Sequence, residues 1–342
     1  MKNVIFNHDA AIDEYMASVL ISTMADVNLL GVIITNGDCV YGPAMSAAYK
    51  IQQYIGQPNT PLLLSSDRGW NSFPWAYRED CIRQGEISCL VSIPNNPNWP
   101  WYPSSVEKLI EFNPNTNKTT EEGVAGYPDG NVFLANALDN ALLSGEKITL
   151  VICCPLTILK SVLSEKLERE NAIDELIWMG GAIAPVKGNL DPSTISPVIA
   201  NPWAEWNAFW DSSAVDWVFK NTNIPITVFP LNVTNQAKIT TEFKNALAAQ
   251  ANDYPLSTLA HQSYSLVDGQ SFYEMWDVLT VSYLARPDLF SAAQSMELSI
   301  VTQGFYEGTL YPSQENSRTV SVILNLAQPA AFYDYVLTAF RR

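Results

Sequence analysis

Short apolar runs alternate with helical patterns along the chain. The first run is Val4-Ile5-Phe6, and after a polar loop the apolar residues of 13–24 fall near helical spacing. Similar runs end in polar or small residues, which is typical of strands that lead into loops. They cover residues 29–35, 148–152, 176–179 and 224–231. The alternation predicts an α/β fold with an open, mostly parallel central sheet and flanking helices.

Neither repeats nor charge blocks divide the chain, so we predict one α/β domain over residues 1–342. A stretch rich in proline and asparagine, from about 93 to 130, predicts a long surface excursion. Within it only residues 104–111 have a briefly helical pattern. A lid, a partner-binding loop and an ordinary insertion all remain open as explanations of this stretch.

The charge balance restricts the partners of the protein. Thirty-five acidic and nineteen basic residues give a formal net charge of −16, which disfavours binding to nucleic acids and to anionic membranes. The apolar start is too short for a secretory signal, and no segment approaches the roughly 20 apolar residues of a membrane span. Five cysteines without C-x-x-C spacing argue against disulfides or a thiolate zinc site. We expect a cytoplasmic protein.

Candidate chemistry begins in the acidic run Asn7-His8-Asp9-Ala10-Ala11-Ile12-Asp13-Glu14. Three carboxylates within six positions of a strand end are costly unless a cation or hydrogen-bond donors neutralise them. Calcium is a suitable cation, because it takes about 6–8 oxygen ligands and leaves positions open for sugar hydroxyls. For an isolated motif of this kind, helix capping with exposed charge is the commoner explanation. The rest of the chain has to decide between the two.

Further blocks follow the acidic run along the chain. They are Asn36-Gly37-Asp38-Cys39, Asn71-Ser72-Phe73-Pro74, Cys153-Cys154-Pro155-Leu156, Met179-Gly180-Gly181, Gly188-Asn189, Ala204-Glu205-Trp206-Asn207 and Trp276-Asp277. In this order the blocks resemble the nucleoside hydrolase family, in particular its purine-preferring branch. That family opens with a strand and D-x-D-x-x-x-D-D, to which the acidic run corresponds. The resemblance spans residues 1 to about 285 and implies a Rossmann-related sheet with its site at the C-terminal ends of the strands.

The resemblance implies that calcium is bound by Asp9, Glu14, the backbone carbonyl of Cys153 and Asp277. It also implies that Asp9 is the general base, which takes a proton from the calcium-bound water that attacks the anomeric carbon. The products would be ribose and a free base. The residues implied to hold the ribose hydroxyls are Asp13, Asp38, Asn189, Glu205 and Asn207.

The base side of the implied site is aromatic. Trp276 occupies the position of the histidine acid in the pyrimidine-tolerant branch, and the resemblance implies that Trp276 stacks on a purine. Tyr77 is the second aromatic residue implied to contact the base. Stacking stabilises a bound base by about 1–3 kcal/mol. The family resemblance further implies a homodimer or homotetramer.

Three departures from the family pattern leave one alternative open. Asn7 replaces the first aspartate, Glu14 replaces the last, and Cys153-Cys154 replaces a Thr-Gly pair. A nucleoside-binding or ribose-binding protein of the same fold that has lost turnover is therefore the alternative. A haloacid-dehalogenase-like phosphohydrolase is excluded because its nucleophilic aspartate would be Asn7. No cluster of histidine and cysteine has the spacing of zinc ligands.

Overall fold

A sheet of nine strands forms the centre of the molecule in the computed structural model. The model describes residues 1–71, 79–99, 112–113, 118–119, 126–190, 201–270 and 272–342. The described residues form eleven strands, which are β1 Lys2–His8, β2 Val27–Asn36, β3 Leu62–Arg68, β4 Phe112–Asn113, β5 Lys118–Thr119, β6 Ile148–Cys153, β7 Ile173–Met179, β8 Ile226–Phe229, β9 Gln294–Ile300, β10 Leu310–Pro312 and β11 Arg318–Val322. Of these, β4 and β5 make a separate two-stranded sheet. Each of the five apolar runs in the sequence contributes a strand, namely β1, β2, β6, β7 and β8.

The strand order in this sheet is β10-β9-β11-β8-β7-β6-β1-β2-β3. All pairs from β11 to β3 are parallel, and β9 is antiparallel to both β10 and β11. The prediction of an open, mostly parallel sheet with flanking helices is confirmed. β1 lies between β2 and β6, so the loops after these three strands meet at one edge of the sheet.

Helices cover both faces of the sheet. In the described parts of the chain they are α1 Ile12–Ser22, α2 Tyr41–Tyr54, α3 Glu79–Arg83, α4 Gly130–Ser144, α5 Thr157–Glu165, α6 Trp206–Trp210, α7 Ser212–Asn221, α8 Leu231–Thr234, α9 Thr241–Gln250, α10 Pro255–Ser265, α11 Trp276–Ser282 and α12 Pro329–Ala339. The helical pattern predicted over 13–24 is confirmed by α1. Short 3-10 helices occur at Gln84–Glu86, Leu167–Ala172 and Pro287–Leu289.

Two hydrophobic cores lie on opposite faces of the sheet. Val4 and Phe6 of β1 belong to one core and Ile5 belongs to the other, as the two-residue period of a strand requires. Both faces are buried, which explains why the central strands read as continuous apolar runs. Burial of one large aliphatic or aromatic side chain contributes about 1.5–3 kcal/mol. The rigid centre of the sheet therefore carries the residues that follow β1, β2 and β6.

Other predictions concern the rest of the chain. Most of the excursion at about 93–130, with residues 104–111, lies outside the described residues, and a single domain over 1–342 stays a prediction. The five cysteines are free thiols. Within the part of the chain that the structure describes, no helix has the length and apolarity to cross a membrane.

Candidate active site

The acidic run turns sharply from β1 into α1. Ala10 has a φ of 73°, in the left-handed region that favours glycine, and its methyl group costs about 1–2 kcal/mol there. α1 then begins at Ile12, so that Asp13 and Glu14 lie in its first turn. Carboxylates are stabilised there by the positive end of the helix dipole. The turn directs the acidic side chains towards the ends of β1 and β2.

Three carboxylates form a compact cluster at this edge of the sheet. One oxygen each of Asp9, Glu14 and Asp38 lies within 4.8 Å of the other two. Asp38 follows β2, the neighbour of β1, and the glycine before it allows a close approach, since a Cβ at Gly37 would lie 2.1 Å from Asp9 Oδ2. Sequence reasoning missed the place of Asp38 in this cluster. Its implied contact with ribose stays a prediction.

Several carboxylate oxygens of the site are buried without a hydrogen-bond partner among the described residues. They are Asp9 Oδ2, Glu14 Oε2 and Asp277 Oδ1, in side chains that are only 1%, 6% and 4% exposed. Such oxygens are strongly destabilising unless a cation or donors compensate them. Because the ligand atoms are hard carboxylate oxygens, the residues fit calcium better than a softer metal.

Burial and mutual repulsion raise the pKa values of these carboxyl groups. Burial followed by the charge of Asp38 raises the pKa of Glu14 to about 8. Burial, Asp38 and Glu14 raise the pKa of Asp9 well above its usual range. Burial and the charge of Glu14 do the same for the pKa of Asp277. A bound cation would reverse these shifts by stabilising the ionised forms.

Asp13 connects the first loop to α11. Its Oδ2 accepts hydrogen bonds from the backbone N–H groups of Asp277 at 2.6 Å and Val278 at 3.1 Å, and its Oδ1 accepts one from the Tyr264 hydroxyl at 2.9 Å. Burial raises the pKa of Asp13 to about 7, against the effect of these donors. Asp13 thus holds the helix turn that carries Asp277. The implied ribose contact of Asp13 stays a prediction, and the sequence held no signal for the Tyr264 contact.

Glu205 and Asn207 form a buried unit at the end of β7. Glu205 caps α6 by accepting from the N–H groups of Asn207 at 2.8 Å and Ala208 at 3.2 Å, and it also accepts from Gly181 N–H at 2.7 Å. Asn207 Nδ2 donates to the carbonyl of Met179 at 3.1 Å. Burial raises the pKa of Glu205 to about 7, and these backbone donors oppose the rise.

The charge of Asp38 also raises the pKa of Glu205, so that the unit after β7 and the acidic cluster lie in one electrostatic environment. Asn189 is partly exposed, and its Oδ1 accepts a hydrogen bond from Trp206 N–H at 3.2 Å. Asn189 is therefore tied to the same segment as Glu205. Asn189, Glu205 and Asn207 thus form one group of polar residues at the end of β7, and the acidic cluster lies at the ends of β1 and β2.

Trp276 is half-buried directly before Asp277. Its Nε1 donates to Asn235 Oδ1 at 2.9 Å, and its ring centroid lies 5.1 Å from that of Tyr273. Tyr77, the second aromatic residue that the sequence implied, lies outside the described residues. Tyr273 was not predicted, although its hydroxyl also accepts from Asp13 N–H at 3.2 Å.

His8 belongs to the core. It is 0% exposed, its ring stacks on Phe6 with centroids 5.0 Å apart, and its Nδ1 accepts from Ala10 N–H at 3.1 Å. Burial lowers the pKa of His8 to about 3, so the imidazole is uncharged at neutral pH. A buried, uncharged imidazole has no proton to spare for a leaving base at neutral pH, so His8 is a poor candidate for the acid of the reaction.

Comparisons with known proteins identify relatives of this chain. The non-specific ribonucleoside hydrolase RihC of Escherichia coli is 31% identical over 198 residues, which is 55% of this chain and 60% of that protein. The matched region thus spans about three-fifths of the length of this curated relative.

Solved structures share the whole fold. The inosine-uridine preferring nucleoside hydrolase of Bacillus anthracis is 28% identical with a TM-score of 0.78, covering 100% of this chain and 99% of that one. The purine-preferring ribonucleoside hydrolase of Gardnerella vaginalis is 17% identical with a TM-score of 0.73, covering 99% and 98%. Residues 4–334 match the family described as inosine-uridine preferring nucleoside hydrolase, and the chain belongs to that family of enzymes.

Proposed function

We propose that this protein hydrolyses the N-glycosidic bond of ribonucleosides, with a preference for purines. The observation that carries the proposal is the cluster of Asp9, Glu14 and Asp38, in which the buried oxygens Asp9 Oδ2 and Glu14 Oε2 have no hydrogen-bond partner among the described residues. In the reaction, the water oxygen bonds to the anomeric carbon and one water proton passes to Asp9. The bond to the base nitrogen breaks with its electron pair leaving on the base, which takes up a proton from solvent, while Asp9 returns its proton to solvent. The products are ribose and free base.

We propose that calcium is held by Asp9, Glu14, the Cys153 carbonyl and Asp277. Cys153 ends β6 next to β1, and Asp277 is brought to the cluster by the hydrogen bonds of Asp13. When bound, calcium would lower the pKa of a water molecule towards neutrality and keep these carboxyl groups ionised. Asp9 then needs only to complete the proton transfer. The proximity of Asp38 makes it a further candidate ligand.

The ribose is proposed to lie between the acidic cluster and the buried unit of Glu205 and Asn207 at the end of β7. Its hydroxyl groups would be held by Asp13, Asp38, Asn189, Glu205 and Asn207. Glu205 and Asn207 are fixed by backbone hydrogen bonds, so they are oriented before the substrate arrives. Such fixed contacts accelerate the reaction where they strengthen as the sugar gains oxocarbenium character.

The direct test is an assay of ribose and free base with inosine, adenosine, guanosine and uridine as substrates. We expect release from the purine nucleosides at the highest kcat/KM in the presence of calcium. Nucleoside binding without release of ribose would support the alternative of a binding protein of this fold. Faster release from uridine than from the purine nucleosides would contradict the purine preference.

Replacing Trp276 by alanine is expected to lower kcat/KM for inosine about 5- to 100-fold, with a smaller loss for uridine. Stacking contributes about 1–3 kcal/mol per base and increases with the area of the ring. Trp276 is proposed to stack on the base, with Tyr77 as its partner across the base. A suitable control is Trp217→Ala. Trp217 lies on α7 and packs against the core that contains Ile5, whereas Trp276 packs against the core on the other face of the sheet. Equal losses for inosine and uridine would contradict the stacking role.

Without calcium, stability is expected to fall between pH 6.5 and pH 8.5. Burial raises the pKa values of Asp13, Glu14 and Glu205 from 3.8, 4.5 and 4.5 to about 7, 8 and 7. The folded state therefore keeps protons that the unfolded chain has already released, so stability falls as pH rises from the unfolded towards the raised pKa values, and it levels off above them. His8 has a lowered pKa, so it acts in the opposite sense only below this window.

The measurement is the melting temperature in chelator and in calcium at both pH values. Calcium should raise the melting temperature more at pH 8.5, because the ion replaces the protons that the carboxyl groups have lost. A melting temperature that rises with pH in chelator would contradict the assignment.

The compartment and the assembly are also part of the proposal. The five free thiols support a reducing cytoplasm. A homodimer or homotetramer is proposed from the family resemblance, and light scattering after gel filtration would measure it.

A further inference from the structure

We infer that Asn7 and Cys154 are positioning residues, which lock together the two strand ends that supply Asp9 and the Cys153 carbonyl. The inference deepens the proposed function and rests on it. Cys154 Sγ donates a hydrogen bond to Asn7 Oδ1 at 3.1 Å, and thereby joins the ends of β6 and β1. Both side chains are buried, at 2% exposure for Asn7 and 0% for Cys154.

The amide of Asn7 is held on its other side as well. Its Nδ2 donates to the carbonyl of Ile33 at 2.9 Å and to Thr35 Oγ1 at 2.8 Å, both on β2. A carbonyl oxygen can only accept, so the atom facing Ile33 must carry hydrogen. A carboxylate at position 7 would lack that hydrogen. The Asn7 oxygen consequently faces the thiol of Cys154, which can donate.

The peptide of Cys154 has a second anchor. Trp178 Nε1, from β7, donates to the Cys154 carbonyl at 3.2 Å, and Trp178 is 0% exposed. The Cys154 residue is thus fixed through its side chain to β1 and through its carbonyl to β7. These contacts also fix the orientation of the preceding carbonyl, that of Cys153. Its position is thereby fixed relative to Asp9, which lies two residues after Asn7.

The two contacting positions are both departures from the family pattern described above. A glycine at 154 has no side chain to offer, whereas the thiol provides the donor that an amide oxygen at 7 needs. The contact indicates that the two replacements work as a pair. Their role would be to keep Asp9 and the Cys153 carbonyl at a spacing suited to one cation.

The test is calorimetric titration of the chelator-treated full chain with calcium chloride, together with kcat and KM for inosine. Cys154→Ala removes the donor and is expected to weaken calcium binding about 3- to 10-fold, the range of one buried neutral hydrogen bond. Cys154→Ser keeps a donor and should stay within about twofold of wild type. Cys89→Ala is the control, because the Cys89 thiol is half-buried away from these strand ends.

Asn7→Asp gives a second measurement. The added negative charge alone would strengthen calcium binding, but a carboxylate cannot donate to Ile33, so we expect calcium binding about 10-fold weaker and a reduced kcat. If Asn7→Asp fails to fold, the Cys154 variants still decide the question.

Three outcomes overturn the inference. Wild-type calcium affinity in Cys154→Ala would show that the thiol does not position Asp9 and the Cys153 carbonyl. Equal weakening in Cys154→Ser and Cys154→Ala would show a packing role only. Absence of calcium binding by the wild type would overturn both the cation site and this inference. Calcium binding without nucleoside hydrolysis would overturn the proposed function alone. Calcium titration of the variants would then still test the positioning role of Asn7 and Cys154.

Discussion

Replacing Asp9 by asparagine is expected to lower kcat for inosine hydrolysis about 10²–10⁴-fold, the contribution of a general base. The amide has nearly the same shape but cannot take a proton from water. It also removes one charge from a buried cluster in which Glu14 and Asp38 repel it. The free energy of unfolding without calcium should therefore be unchanged or higher, whereas calcium binding should weaken.

Steady-state kinetics together with thermal unfolding separate these effects. Asp174→Asn is a matched control, because Asp174 is an exposed carboxylate on β7. It should retain wild-type kcat. Near-normal activity of Asp9→Asn at saturating calcium would show that a group other than Asp9 takes the proton from water.

Replacing Gly37 by alanine is expected to lower kcat about 10²-fold while the fold is retained. The new methyl group would lie 2.1 Å from Asp9 Oδ2 and 2.7 Å from Asp9 Cβ, and so cannot be accommodated without moving Asp9. Asp9 is fully enclosed and has a short side chain, which leaves it little room to turn. A displacement of about 1 Å at a reacting group is enough for such a loss.

Gly85→Ala is the control for this variant. A Cβ at Gly85 would meet its nearest neighbour at 3.4 Å, an ordinary contact, and the backbone there is not left-handed. Wild-type kcat for Gly85→Ala with a strong loss for Gly37→Ala would support the close approach to Asp9. Full activity of Gly37→Ala would contradict the arrangement of the first two loops.

Local pattern was sufficient to predict the centre of the fold. β1, β2, β6, β7 and β8 are buried on both faces, and for that reason they read as apolar runs between helical segments. β3 at one edge of the sheet, and β11, β9 and β10 at the other side, were not predicted. The first half of Gln294–Ile300 is largely exposed and polar, so its pairing with β11 depends on contacts between distant segments.

The site was predicted only in part by local pattern. The spacing of Asp9 and Glu14 left a cation site and helix capping both open, and Asp277, which is more than 260 residues away, is brought close by Asp13. The family resemblance, rather than periodicity, connected these residues. The contacts of Tyr264, Tyr273 and Cys154 depend on tertiary packing, for which a single sequence holds no signal.

The measurement that tests the central claim most directly is ribose release from inosine by one enzyme preparation, first with chelator and then with calcium restored. We predict little or no release in chelator and full recovery on addition of calcium, with equal amounts of ribose and hypoxanthine. No release with calcium present, or the same rate in chelator, would contradict a calcium-dependent nucleoside hydrolase built on Asp9 and Glu14.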